Sequence, residues 1–163
     1  MSNNIGTSVG RTKVIRITGA EMGATATTYA DGDVIGNKIF IENIMLLFPG
    51  EATLMSITVQ DLDSQDSALE VILWSSNPTG TTFTDDAALD IADADLPKHC
   101  GSANVAATDY KAYTDNSVGT VRNIGLPVGS DTENDLWMTL ISRGTPTYTA
   151  NGVSLILTFY LDQ

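Results

Sequence analysis

The sequence predicts an all-β protein: an antiparallel β-sandwich, expected to be a jelly roll of about eight strands with one short helical turn. Short runs of alternating or β-branched apolar residues recur along the chain, and clusters of Gly, Pro, Asn and Asp separate them. No long segment carries the 3.6-residue apolar repeat of a crossover helix. Parallel strands need such crossovers, so antiparallel pairing follows. An immunoglobulin-like sandwich is the competing architecture, and the longer loops here argue mildly against it.

Eight segments have the composition of strands, and the last of them alternates most regularly. In that segment Val153, Leu155 and Leu157 face one way, while Ser154 and Thr158 face the other. Residues 1–11 are mostly small and polar and are predicted to form a flexible N-terminal arm, and residues 12–163 a single β-sandwich domain. The predicted strands are Thr12–Thr18, Lys38–Phe48, Thr53–Leu62, Ala68–Trp74, His99–Ala106, Thr120–Leu126, Asp135–Ser142 and Gly152–Leu161.

The net charge of the chain indicates which kinds of partner are unfavourable. Eight basic residues stand against 20 acidic residues, a net charge of −12, which argues against nucleic acid or an anionic membrane surface as a partner. No run of 18 apolar residues exists, and no positively charged stretch precedes an apolar one at the N-terminus, so neither a membrane span nor a secretory signal is expected. The single cysteine, Cys100, permits no internal disulfide.

The stretch TDDAALDIADADLPKHC, residues 84–100, has five aspartates within eleven positions and suggests a cation site. A helix-flanked calcium loop needs a glycine at its sixth position, whereas here Leu96-Pro97 follows the last aspartate. Thr84 is instead a suitable N-cap, and Asp85 and Asp86 would then complement the dipole of a short helical turn. A weak divalent-cation site stays open as the alternative.

A second acidic cluster, Asp61, Asp63 and Asp66, follows a predicted strand. Its carboxylates are expected to accept hydrogen bonds from nearby backbone amides, and a cation shared with Asp85–Asp95 is the alternative. His99 and Cys100 are too few for zinc, and neighbours on a strand point to opposite faces, which excludes a nucleophilic pair. Neither a locatable carboxylate pair for glycoside hydrolysis nor a nucleotide-binding motif is present. We therefore expect no enzyme, no metal and no cofactor.

The aromatic residues raise carbohydrate binding as an alternative function. Trp74, Trp137, Tyr110, Tyr113 and Tyr148 are candidates for a sugar-stacking platform. The two tryptophans also fit a second apolar core or a subunit interface, because they lie opposite the most regular apolar positions of their strands. A cupin-type metalloenzyme is disfavoured, because it needs two or three metal-binding histidines and the chain has one.

Two long stretches resemble the capsid decoration, or cement, proteins of tailed bacteriophages. They are SITVQDLDSQDSALEVILWSSNPTGTTFTDDAALDIADADLPKHCG, residues 56–101, and LPVGSDTENDLWMTLISRGTPTYTANGVSLILTF, residues 126–159. The resemblance covers about half of the chain. It implies a jelly-roll virion protein that binds the major capsid protein on the capsid surface as a homotrimer and stabilises the head.

The resemblance also directs attention to the basic start of the chain as a capsid contact. Three of the eight basic residues lie between positions 5 and 16. The candidate contact residues are Ile5, Arg11, Lys13 and Arg16.

Overall fold

The computed structural model describes residues 11–45, 50–131 and 134–161, without the side chain of Arg11. In this part of the chain there are eleven strands and one α-helix, α1 (Gly19–Met22), and single 3-10 turns lie at Leu96–Lys98 and Ala107–Asp109. The strands are Arg11–Ile17 (β1), Thr27–Thr28 (β2), Val34–Ile41 (β3), Glu51–Asp61 (β4), Leu69–Trp74 (β5), His99–Val105 (β6), Tyr110–Ala112 (β7), Ser117–Gly129 (β8), Leu136–Ser142 (β9), Thr147–Tyr148 (β10) and Val153–Leu161 (β11).

The strands form an antiparallel sandwich with the strand order of a jelly roll. One sheet has the order β1-β11-β4-β8-β7 and the other β3-β9-β5-β6, while β10 and β2 form a small separate pair. Pairing is nested: β1 with β11, β3 with β9, β4 with β8, and β5 with β6. The all-β class and the antiparallel pairing are therefore confirmed, and each of the eight predicted strands overlaps an observed one.

The core lies between the two sheets and is built from alternate residues of their strands. In β11 the side chains of Val153, Leu155, Leu157, Phe159 and Leu161 are buried, and the intervening residues face away from the core. This is the alternation that the sequence predicts for the last strand.

The second predicted strand is partly wrong. Lys38–Phe48 was expected, whereas β3 begins at Val34 and ends at Ile41. Gly36 takes a left-handed φ of 71° inside β3, where a Cβ would lie 1.9 Å from the carbonyl oxygen of Met22. Gly36 lies at the irregularity in the β3–β9 register between Ile35 and Ile39. Residues 46–48 of the prediction lie outside the described residues.

The helical turn lies elsewhere than predicted. Residues 84–90 form no helix, and Asp86 has a positive φ of 59° that is incompatible with one. The α-helix follows Thr18, whose side chain accepts a hydrogen bond from the amide of Glu21, while the Glu21 carboxylate accepts one from the amide of Thr18 at 2.7 Å. This capping box is readable in the sequence as Thr-x-x-Glu.

Of the predicted N-terminal arm, residues 1–11, the structure describes only Arg11. Arg11 is already the first residue of β1 and pairs with Leu161. Ile5, the first candidate capsid contact, lies outside the described residues, so the arm and its boundary stay predictions. Across the described ranges, no helix is long and apolar enough to cross a membrane.

Candidate interaction surface

Residues 75–95, the cover loop, fold over the outer face of the four-stranded sheet. Trp74 is fully buried there, and its indole nitrogen donates a hydrogen bond to Thr139 Oγ1 at 3.1 Å. The ring of Phe83 meets Trp74 edge-on, with 5.9 Å between ring centroids. The result is a second apolar core, formed by Val34, Ile72, Trp74 and Ile141 of the sheet with Phe83, Leu89, Ile91 and Trp137 packed against them.

The carboxylate of Asp85 fixes the cover loop to the body of the domain. It accepts hydrogen bonds from the hydroxyl of Tyr29 at 2.8 Å, from the hydroxyl of Thr25 and from the amide of Gly36. These donors come from three separate positions ahead of the loop in the chain. A carboxylate satisfying several donors is a stronger local determinant than the N-cap preference of Thr84, which explains why the predicted helical turn does not form.

The cover loop also protects the edge of the four-stranded sheet. The amide of Val34 donates to the carbonyl of Ala87 at 2.9 Å, and the amide of Asp86 donates to the carbonyl of Val34 at 3.0 Å. These bonds occupy backbone groups of β3, which is an edge strand of its sheet. Unpaired edge strands invite association with other chains, and the loop occupies this edge at Val34, the first residue of β3.

At its far end the loop is held by Asp95. Its buried carboxylate accepts from the amide of Thr81 at 2.7 Å and from the hydroxyl of Thr81 at 2.8 Å, and it pairs with Lys98 at 2.7 Å. The hydrogen bond from Lys98, followed by those from Thr81, lowers the pKa of Asp95 to about 2. Two of the five aspartates in residues 84–100, Asp85 and Asp95, are therefore structural anchors and not freely solvated charges.

The residues first considered as metal ligands or nucleophiles are held apart. His99 lies edge-on to Trp74, with 5.3 Å between ring centroids, whereas Cys100 packs against the main core, where burial raises the pKa of its thiol. Within the described ranges no three His, Cys, Asp or Glu side chains are grouped so as to hold a metal ion. Asp61 accepts from the amides of Asp63, Gln65 and Asp66, as predicted for that turn.

Two of the five aromatic residues considered for sugar stacking are buried. Trp74 belongs to the second core, which confirms the alternative reading of that residue, and Tyr148 is 2% exposed. Trp137 does contact the half-exposed Phe40, with 4.9 Å between ring centroids. Lys38 lies 5.0 Å from the centroid of the Trp137 ring and 5.3 Å from that of Phe83. A lysine over these rings ties the sheet to the cover loop and takes up surface that a sugar would need.

The outer face of the five-stranded sheet is open by contrast. The strand registers place four rows of four outward side chains across β1 or β7, β11, β4 and β8. Val14 is 49% exposed and Tyr160 37% exposed on this surface. We call it the open face: Thr12, Tyr160, Thr53 and Pro127; Val14, Thr158, Ser56 and Arg122; Arg16, Ile156, Thr58 and Thr120; Ser154, Gln60, Val118 and Lys111.

The open face has a charge opposite to that of the whole protein. None of its sixteen side chains is acidic, and three of the eight basic residues lie on it, namely Arg16, Lys111 and Arg122. Along its strands the nearest outward-facing acidic residue is Glu51, the first residue of β4, whereas Asp61, which follows Gln60, is buried. Hydroxyl, amide and apolar side chains fill the remaining positions, a composition suited to contact with another protein.

The structure separates the predicted contact residues. Arg16 is exposed on the open face, whereas Lys13 points to the other side of β1, and its ammonium donates to the carbonyl of Asn43. Ile5 and the side chain of Arg11 are outside the described part. Sequence reasoning missed Arg122 and Lys111, because alternation shows which residues share a face but not which face of the sandwich remains uncovered.

Comparisons with known proteins identify no family. No family model matches the chain, and no curated relative was found. Among solved structures, the infectious bursal disease virus VP2 subviral particle has a TM-score of 0.41 at 12% identity, over 92% of this chain and 32% of that one. This chain thus spans about a third of the length of that protein.

Two further virus structures have lower scores. Tomato aspermy virus has a TM-score of 0.38 at 12% identity, over 94% of this chain and 78% of that one. The native virion of Kashmir bee virus at neutral pH has a TM-score of 0.26 at 8% identity, over 94% of this chain and 71% of that one. Scores this low carry no argument about function, and the fold assignment stands on the strand pairing described above.

Replacing Asp85 by Ala should destabilise the protein by about 2–3 kcal/mol, because the amide of Gly36 and the hydroxyl of Tyr29 lose their acceptor. Urea unfolding followed by tryptophan fluorescence measures this, since Trp74 lies under the loop. Asp90→Ala is the matched control, as Asp90 is an exposed aspartate of the same loop. Its effect should stay within about 0.5 kcal/mol; equal effects would contradict the anchoring role.

Acid should weaken the anchor at Asp95. Its folded-state pKa lies below the unfolded value, so its contribution to stability is complete above about pH 5 and is lost as the pH falls through about 4 toward 2. The stability difference between wild type and Asp95→Asn should therefore shrink over that interval in urea titrations. Asp93→Asn removes the same charge from an exposed side chain of the loop and should stay close to wild type. A pH-independent difference for Asp95→Asn would refute the assignment.

Proposed function

We propose that the chain is a virion structural protein without catalytic activity, and specifically a capsid decoration or cement protein that docks on the major capsid protein through the open face. The observation that carries this proposal is the open face itself, an acid-free and weakly basic surface on a protein of net charge −12. The resemblance of residues 56–101 and 126–159 to tailed-phage decoration proteins points in the same direction. The expected location is the outer surface of the capsid.

A difference between the two sheets supports docking through the open face. The cover loop packs on the outer face of the four-stranded sheet and forms bridges with the start of its edge strand β3. The open face of the five-stranded sheet carries exposed Val14 and Tyr160 as well as Arg16 and Arg122, so apolar contact and positive charge are combined on one surface. Such a surface is complementary to an acidic protein surface with scattered apolar side chains.

The size of the open face bears on the oligomeric state. Four rows on five strands cover about 20 Å by 20 Å, or about 400 Å², judged from strand spacing and rise. A standard interface buries about 800 Å² on each partner. One copy would therefore bind weakly, and we propose a homotrimer that presents three such faces together, because linked contacts multiply binding.

Removing positive charge from the open face should reduce capsid binding. The double variant Arg16→Gln/Arg122→Gln should lose about tenfold or more in affinity for heads stripped of this protein, measured by co-sedimentation at low salt and at 0.5 M NaCl. The control is Thr145→Glu/Ala150→Glu, which makes the same change in net charge at two exposed positions outside the face. Equal losses in both variants, or binding by neither variant nor wild type, would refute the proposal.

The oligomeric state has its own test. Multi-angle light scattering at micromolar concentration should give three times the chain mass of 17.3 kDa. A monomer would contradict the trimer. A dimer that Arg16→Gln/Arg122→Gln dissociates would show that a second copy occupies the open face instead of a capsid.

A further inference from the structure

Several buried oxygen atoms gather where β4 ends and the turn of residues 61–66 begins. Tyr148 is 2% exposed and Ser117 is 1% exposed, yet neither the Tyr148 hydroxyl nor Ser117 Oγ has a hydrogen-bond partner among the described residues. The same is true of the hydroxyl of Tyr110 and of Asp66 Oδ1. Buried polar atoms are nearly always satisfied, so a group of them at one place calls for a bound species.

Strand register brings these atoms to one end of the sandwich. Asp61 is the Cα partner of Ser117 across the β4–β8 pair, and both side chains point inward. Tyr110 pairs with Gly119 on the other side of β8, and its ring lies so close that a Cβ on Gly119 would be 2.9 Å from it. The missing side chain at Gly119 therefore lets the Tyr110 ring lie across β8 beside Ser117.

The electrostatics of this end favour a cation. Burial, followed by the charges of Asp61, Asp66 and Asp109, raises the pKa of Tyr110. Burial also raises the pKa of Tyr148, with Tyr110, Asp61 and Asp63 adding to the shift. In the described ranges the acidic partners of ion pairs are Asp31, Glu70 and Asp95, so no basic side chain neutralises this acidic group.

We propose that this cluster, the tyrosine-lined acid site, binds a divalent cation of the calcium class between Asp66, Asp61 and the hydroxyls of Tyr148, Tyr110 and Ser117. Calcium accepts six to eight oxygen ligands in flexible geometry, including neutral ones, and the cluster offers oxygens alone. Because no three His, Cys, Asp or Glu side chains of the described residues converge, hydroxyls must complete the set. The expected dissociation constant is on the order of 10⁻⁴–10⁻³ M, as for calcium sites with few charges.

Bound calcium would connect the turn to three neighbouring elements. Ser64 and Asp66 both have a φ of 49°, a left-handed conformation that non-glycine residues adopt at a cost. A cation on Asp66 would hold this turn against β8, β7 and β10 at once. It would therefore stabilise the end of the sandwich that carries Val118 and Lys111 of the open face, independently of which partner docks there.

Calcium titration of the full chain tests the site. At 10 mM CaCl2, against an EDTA reference, the melting temperature of wild type should rise by roughly 3–8 °C. Terbium(III), which binds calcium sites, should luminesce on excitation of tyrosine, and calcium should compete it away while potassium should not. No rise in melting temperature, together with no competed luminescence, would overturn the proposal in favour of ordered water alone.

Two variants identify the ligands. Asp66→Asn should lose most of the calcium-dependent rise, whereas Asp93→Asn, which removes the same charge at an exposed position, should retain it. An equal response in both would show nonspecific screening of the acidic protein. Should Asp66→Asn fail to fold, Tyr148→Phe decides, because it removes one hydroxyl and keeps the buried ring. It should weaken calcium binding about threefold or more, and unchanged affinity would exclude that hydroxyl and overturn the ligand set.

Discussion

The pairing of the first strand with the last is the constraint on which the rest of the structure depends. β1 pairs with β11 over seven registered positions, from Arg11 with Leu161 to Ile17 with Leu155. Since β11 also pairs with β4, this contact places a strand from the end of the chain in the interior of the sheet. The inner pairs β3–β9, β4–β8 and β5–β6 are nested within it. Bringing such distant segments together costs loop-closure entropy, which the burial of the β11 apolar row offsets.

The long connection between β5 and β6 makes the two sheets chemically different. A structureless loop of this length is unusual in a compact domain, and here it is ordered because it has a core of its own beneath it. Phe83, Leu89 and Ile91 supply the apolar contact, while Asp85 and Asp95 supply the polar anchors. The outer face of the four-stranded sheet therefore packs against the cover loop, whereas the outer face of the five-stranded sheet is available for contact with other molecules.

Period-two alternation made most of the fold predictable. β5, β9 and β11 lie close to where the sequence places them, because hydrophobic residues at every second position permit few other arrangements. The failures share a cause. Gly36 within β3 and Asp85 in the cover loop owe their conformations to contacts with Met22 and Tyr29, which lie elsewhere in the chain. Local propensity has no access to such contacts.

The candidate surface was predictable only in part. Arg16 was named from the basic character of the first strand, and the structure places it on the open face. Arg122 lies more than one hundred residues away from Arg16 in sequence and three strands away in the sheet, and the two share one face only through the order β1-β11-β4-β8. Lys13, equally basic and on the same strand, points the other way. Basic residues that are close in sequence thus point to opposite faces when they lie on one strand. A surface such as the open face is formed by residues that are far apart in sequence.

Several acidic side chains of this protein have a structural role in addition to their contribution to the net charge. Asp61, Asp85 and Asp95 are hydrogen-bond acceptors that shape turns and hold the cover loop, and their positions are set by the donors around them. The acid-free surface is then a local exception on a strongly negative body. At physiological ionic strength charges separated by more than about 8 Å are largely screened, so a docking partner in contact with the open face responds to Arg16, Lys111 and Arg122 more than to the net charge of −12. Repulsion between the acidic bodies opposes random aggregation, while contact through the one basic face remains favourable.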